Sequence, residues 1–363
     1  MKKDEVLKKH KEIKIVLVSL LGVSNSGGVE RVTYYLKDIL ESHFNNVKLI
    51  TRGKISFGKL CNFIWPFLIS IRLFFMRNKI VISNSWNCFL YPSDFSIHHG
   101  TMKGTRLYSK GSRTSLIISL MEKISAKKAL KILAVSENCK EELVNYYKID
   151  SKKIEVLNNF VDEKIFFPAR NSLISEQSSS KNIKNINILF SGALIERKGL
   201  SKLIEFSDFI ENYSSDYCLN LLIASNTKSE YKHFINKNHT QLFSGLDINK
   251  MPDFYKRGDI LIFPTLYEGF SMSSLEALAS GLCLLGTNFA VTKELEEFDF
   301  CRLSDFSSPE ETALSCIVLY EKFKNSKEEI ASRTIQKFGR VVYEKKLLEY
   351  VKGALREKGY KNE

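Results

Sequence analysis

Two glutamates, Glu268 and Glu276, flank the small residues of FPTLYEGFSMSSLEALASG, residues 263–281. Glu268 follows an apolar run and precedes Gly269, outside any helix, so its carboxylate is available at a strand exit to accept from sugar hydroxyls. Glu276 falls just inside a helix. It can reach ribose hydroxyls of a bound nucleotide, or it can close a capping box that starts at Ser273. The helix N-terminus between the two carboxylates suits a phosphate. A second stretch, SGALIERKGL at 191–200, sets Arg197 and Lys198 directly ahead of another helix. Cations there oppose the helix dipole by about a few tenths of a kcal/mol, a sign that a bound anion reverses, which points to a diphosphate clamp. SIHHG at 96–100 ends a strand with His98 and His99, side chains able to exchange hydrogen bonds or protons with a substrate hydroxyl near neutral pH. SNSGGVER at 24–31 opens a helix with Gly27 and Gly28, where backbone N–H groups can come close to a ligand. Each stretch also has a plainer explanation as a tight turn, a solvated basic turn or a structural strand-end histidine. No G-x-G-x-x-G fingerprint is present.

Buried strands alternating with amphipathic helices must hold these residues. The apolar runs predict strands over 13–21, 47–51, 79–83, 94–98 and 131–135, with helices from Gly28 to Ser42, near 115–127 and near 137–147. A polar, serine-rich stretch follows at about 169–184 and reads as a linker. The alternation then restarts with strands over 186–194, 219–225, 241–245, 259–265 and 282–288 and helices over 199–212, 249–257 and 272–280. A charged helical tail occupies about 327–358. The pattern defines an α/β protein built from two doubly wound sheets in series, whose ligands belong at the carboxyl ends of the strands. The boundaries expected are 1–168, a linker at 169–185, 186–335, and a tail at 336–363 that can pack back on the first domain.

Composition sets the remaining bounds. The 363 residues suit two domains, and 44% hydrophobic residues exclude general disorder. A net charge of +13 calls for phosphate somewhere, as nucleic acid, anionic membrane or phosphorylated ligand. No clustered basic and aromatic module favours nucleic acid. Seven scattered cysteines, none in C-x-x-C, indicate a reducing compartment and no zinc knuckle. KLCNFIWPFLISIRLFFMRNK, residues 59–79, contains Pro66 and Arg72, and reads as an amphipathic or partly buried helix that can dock on an anionic bilayer rather than span it. No cofactor and no metal are expected, because the sequence holds no D-x-D and offers protein cations instead.

Together GGVER, HHG, VLNNFVDEKIFFP, ERKG and EGF…LEALASG resemble the retaining glycosyltransferases of family 4, also called glycosyl transferases group 1. The resemblance implies the GT-B fold, two Rossmann-like domains facing a central cleft, with the acceptor on the first and a nucleotide sugar, UDP-linked by preference, on the second. It implies catalytic roles for His99, Lys198 and Glu268. Donor binding falls to Gly27, Gly28, Arg197, Lys198, Glu268, Gly269, Phe270, Ser271 and Glu276, with Glu268 on the sugar, Glu276 on the ribose and Lys198 on the diphosphate. His98 and His99 are rivals for the acceptor contact. The chain departs from the family's usual pattern at Ala193, Ser271 and Ser273. The activity implied is front-face transfer of a hexosyl group, with retention and without metal, to a glycan, lipopolysaccharide or capsule acceptor at the inner face of the cytoplasmic membrane. A nucleotide-sugar epimerase or hydrolase of the same fold and a basic nucleic-acid-binding protein are the alternatives.

Overall fold

The computed structural model describes residues 13–20, 22, 28–53, 61–109, 112–169 and 183–360. The chain divides into two compact units: one takes the chain up to Asn159 together with Tyr343–Glu363, and the other is Phe160–Val342.

The first unit contains β1 (Lys14–Val18), α1 (Gly28–His43), β2 (Val47–Ile50), α2 (Cys61–Phe75), β3 (Lys79–Asn84), β4 (Phe95–His98), α3 (Met102–Leu107), α4 (Arg113–Lys128), β5 (Lys131–Ala134), α5 (Glu137–Tyr147) and β6 (Ile154–Val156). All six strands are parallel, in the order β2-β1-β3-β4-β5-β6. Ile15 sits beside Val47 on one flank and Ile80 on the other. The winding reverses between β1 and β3, and the carboxyl ends of those two strands therefore open a crevice. α1 closes one face with Val32, Leu36, Ile39 and Leu40, all buried at helical spacing. α2 buries Ile69 and Leu73 against Val16, Val18 and Val81 but turns Ile64, Phe67, Leu68, Phe74 and Phe75 outward. Pro66 is accommodated inside this helix, its carbonyl accepting from Ser70 Oγ at 2.7 Å. Among the described residues no helix is long and apolar enough to cross a membrane.

The second unit contains β7 (Lys184–Ser191), α6 (Leu200–Glu211), β8 (Tyr217–Ala224), β9 (Thr240–Phe243), α7 (Met251–Tyr255), β10 (Ile260–Phe263), α8 (Met272–Ala279), β11 (Cys283–Gly286), β12 (Cys301–Leu303), α9 (Pro309–Phe323) and α10 (Lys327–Phe338). Its six parallel strands run β12-β11-β10-β7-β8-β9, so the winding reverses between β7 and β10. The last helix, α11 (Arg340–Glu357), returns the chain to the first unit.

Four elements, β6, β12, α3 and α9, are additions to the sequence reading. Three-residue strands such as IEV and CRL are too short to display a period. The division between units falls at Asn159, ahead of the serine-rich stretch, of which 170–182 lie outside the described residues. Phe160, Val161 and Phe166 are already buried in the second unit, where Val161 bridges to Gly339 and Phe166 packs edge-on against Tyr255. The expected charged tail is two helices, because the chain breaks at Gly339.

Candidate active site

In the second unit the candidate residues Arg197, Lys198 and Glu268 lie on the loops after β7 and β10, neighbouring strands on either side of the winding reversal. After β7 the chain forms a single 3-10 turn over Glu196–Lys198. Gly199 ends that turn at φ +83° and starts α6, and a Cβ there would collide with the Pro264 carbonyl and ring. Glycine is therefore required both for its backbone conformation and for the close approach of the two loops. Once close, the loops are tied together. The Arg197 carbonyl accepts from Leu266 N at 2.8 Å and Thr265 Oγ1 at 3.1 Å.

This zipper brings Arg197, Lys198 and Glu268 together. Arg197 Nη1 donates to Glu268 Oε1 at 2.9 Å and to the Tyr267 carbonyl at 2.6 Å, and Lys198 Nζ pairs with the same Oε1. Lys198 also stands 4.8 Å from the centre of the Phe263 ring. Burial lowers the Lys198 pKa below its usual value, and the Glu268 carboxylate pulls it back upward. Two cations and one carboxylate, each mostly shielded from water, thus share one oxygen.

Three residues beyond Glu268, Ser271 caps α8, its Oγ accepting from Ser274 N at 3.2 Å. The capping box from Ser273 to Glu276 does not form. Ser273 lies inside the first turn, and Glu276 is buried in the helix with Oε2 accepting from Tyr255 Oη at 3.1 Å. Phe270 is likewise buried, its ring 5.6 Å from that of Phe338, leaving its backbone as the part able to meet a ligand. Gly269 links Glu268 to this cap.

In the first unit a cavity of about 250 Å³ opens at the carboxyl ends of β1, β3 and β4, lined by Ser19, Asn84, Trp86, His99, Met102 and Glu122 among others. Asn84 holds the strand ends in place. Its Nδ2 donates to Ser19 Oγ at 3.1 Å and Thr33 Oγ1 at 2.8 Å, while its Oδ1 lies 3.5 Å from His99 Nε2. Burial depresses the His99 pKa to about 4, so the ring is neutral at physiological pH. His98, the rival for acceptor contact, is fully enclosed and does not line the cavity. Its Nε2 meets Ser96 Oγ at 3.0 Å, and burial followed by the neighbouring His99 holds its pKa near 3. Gly28 begins α1, whereas Gly27 lies outside the described residues.

Trp86, Asn84 and Glu122 escaped the sequence reading. Glu122 is buried on α4 and accepts from Ser85 Oγ at 2.8 Å, Met102 N at 2.7 Å and Tyr147 Oη at 2.5 Å; burial raises its pKa. Ser85 takes a left-handed φ of +47°, unusual for a residue with a Cβ, and its carbonyl accepts from Ser125 Oγ at 2.7 Å. The signal in the sequence was SNSWN at the carboxyl end of a buried strand.

The profile of the family described as Glycosyltransferase Family 4 matches residues 26–164, and that of Glycosyl transferases group 1 matches residues 173–314. The chain belongs to glycosyltransferase family 4 and has the GT-B fold. Among curated proteins it is 27% identical over 199 residues to the capsular polysaccharide biosynthesis glycosyltransferase CapM of Staphylococcus aureus, covering 52% of this chain and 51% of that one. The chain spans about half the length of the curated relatives it matches. Among solved structures it resembles sucrose-phosphate synthase of Thermosynechococcus elongatus, with a TM-score of 0.75 at 12% identity over 95% of this chain and 100% of that one. It also resembles Anabaena HepE in complex with UDP and glucose, with a TM-score of 0.66 at 14% identity over 94% and 99% of the two chains.

Proposed function

We propose that the protein transfers a hexosyl group from a nucleotide-diphosphate sugar, UDP-linked by preference, to a hydroxyl of a growing cell-envelope glycan, with retention of configuration and without a divalent metal. The observation that carries this reading is the Arg197–Lys198–Glu268 cluster ahead of the capped N-terminus of α8. Without donor, Glu268 neutralises two cations. A diphosphate takes over those cations, with its second oxygens toward helix amides, and the released carboxylate turns to the sugar hydroxyls. As the bond to the leaving phosphate breaks, Lys198 and Arg197 hold the growing charge, a role that otherwise falls to a metal ion. The leaving phosphate oxygen then accepts the acceptor's proton on the face of departure. Glu276 serves the ribose, and neutral His99 offers the acceptor a hydrogen-bonding nitrogen.

CapM's name supports a polysaccharide acceptor, and HepE's complex supports UDP. The outward apolar face of α2, with exposed Arg72 beside it, supports peripheral attachment to an anionic bilayer on the cytoplasmic side, where a lipid-linked acceptor would be displayed. The test is thermal-shift and calorimetric binding of UDP-, GDP-, ADP- and TDP-sugars, with and without EDTA. Stabilisation by one of them, unchanged by EDTA and lost in Lys198→Ala, is the expected result. No stabilisation by any of the panel would overturn the donor assignment.

A further inference from the structure

A second apolar surface lies on the same unit as the α2 face. On α4, Leu116, Ile117 and Leu120 are 56%, 49% and 59% exposed, at positions that share one side of the helix. Leu107, at the end of α3, is 63% exposed, and Tyr108 follows it. α3 and α4 pack on each other, and Met102 and Thr105 of α3 line the His99 cavity. Large aliphatic side chains this exposed on adjoining helices mark an interaction surface.

Charge decides what that surface meets. Between Thr101 and Lys128 the chain's acidic residue is Glu122, which is buried, whereas Lys103, Arg113, Lys127 and Lys128 are exposed. An apolar patch fringed by cations with no exposed carboxylate on its own helices is complementary to an anionic lipid surface, where the aliphatics enter the acyl boundary and the cations meet headgroup phosphates. The short turn Ser85–Cys88, which carries Trp86 into the cavity, packs against both α2 and α4. The two apolar faces therefore belong to the helices that support one cavity-lining turn.

We propose that the α3–α4 surface is a second bilayer contact, seated beside the His99 cavity so that an acceptor held by a lipid is presented to it. This rests on the membrane-displayed acceptor proposed above. The experiment is co-sedimentation of the full chain with vesicles of phosphatidylcholine alone or mixed with phosphatidylglycerol. Wild type should bind the anionic vesicles and lose binding as salt rises. Leu116→Ser with Leu120→Ser should weaken that partitioning roughly tenfold. Leu314→Ser with Val318→Ser, at comparably exposed positions of α9, should leave it unchanged. Phe74→Ser with Phe75→Ser reports the α2 face separately. If the α4 pair binds like wild type while the α2 pair does not, the second contact is overturned and the membrane reading stands. If wild type ignores anionic vesicles, both fall.

Discussion

Lys198 and Glu268 touch each other, so removing either one disturbs the other, and their roles separate only when binding and turnover are measured apart. On the proposed donor geometry, Lys198→Ala removes the cation assigned to the leaving phosphate, and kcat/KM should fall roughly 10²–10³-fold with weakened nucleoside diphosphate binding. Glu268→Gln deletes the charge that pairs with Arg197 and Lys198, and that on the same proposal gives way to the diphosphate. Nucleoside diphosphate should then bind as well as, or better than, in wild type while kcat drops. Calorimetry showing loss of diphosphate affinity in Glu268→Gln would refute the exchange of partners. The two histidines make a different prediction, about acid stability. An unfolded histidine protonates near pH 6.5, whereas the folded rings resist protonation down to about 4 for His99 and about 3 for His98. The unfolded chain binds more protons in that window, so the stabilisation is complete above pH 6.5 and is lost as pH falls from there toward 4. Denaturant unfolding at pH 5 should show roughly 2 kcal/mol less stability per ring than at pH 7. His99→Gln should abolish about half of that loss, and an unaltered profile would place the proton uptake elsewhere.

At the scale of elements, the start of α8 is where two assignments can be told apart. Ser271→Ala removes the observed cap and should cost about 1 kcal/mol, whereas Ser273→Ala should change stability by only about a few tenths. The reverse order in a thermal melt would restore the capping box. The ambiguity was physical: Ser271, Ser273 and Ser274 all suit a cap, and packing on β10 and β11 decides which one starts the helix. Strands were legible because both faces of a parallel sheet are buried, which makes runs such as KIVLV and ILIF unmistakable. That same double burial hides orientation. β4 is buried at every position, so no alternation could separate His98 from His99. The ERKG and EGF loops were each visible, and a doubly wound order predicts that they meet. Glu122 was invisible because its donors, Ser85, Met102 and Tyr147, come from three separate stretches of chain.

For the whole molecule, the C-terminal segment completes the first unit rather than trailing from the second. Tyr343, Leu347, Val351 and Leu355 are buried along one stripe of α11, and the Tyr350 ring lies tilted, 6.4 Å from that of Phe95 at the start of β4. Just beyond the helix, Lys358 Nζ reaches Asp94 Oδ1 at 2.6 Å and the Lys79 carbonyl at 2.9 Å. Asp94 is 4% exposed and also accepts from Val81 N at 2.8 Å, so its carboxylate ties β3 to the segment that follows α11. Removing one partner of such a pair leaves a buried charge, although Lys358 is itself 35% exposed and water moderates the loss. Lys358→Ala should therefore cost about 1–3 kcal/mol. Two units need not unfold together, and a global melt would blur the effect. The two tryptophans of the chain, Trp65 and Trp86, both belong to the first unit. Tryptophan fluorescence during denaturant unfolding therefore follows that unit, and its midpoint should fall in Lys358→Ala. Adding Asp94→Asn should recover part of the loss, because the carboxylate no longer needs a counter-ion. A fluorescence midpoint unmoved by Lys358→Ala would mean that the apolar stripe of α11 holds the segment without the ion pair.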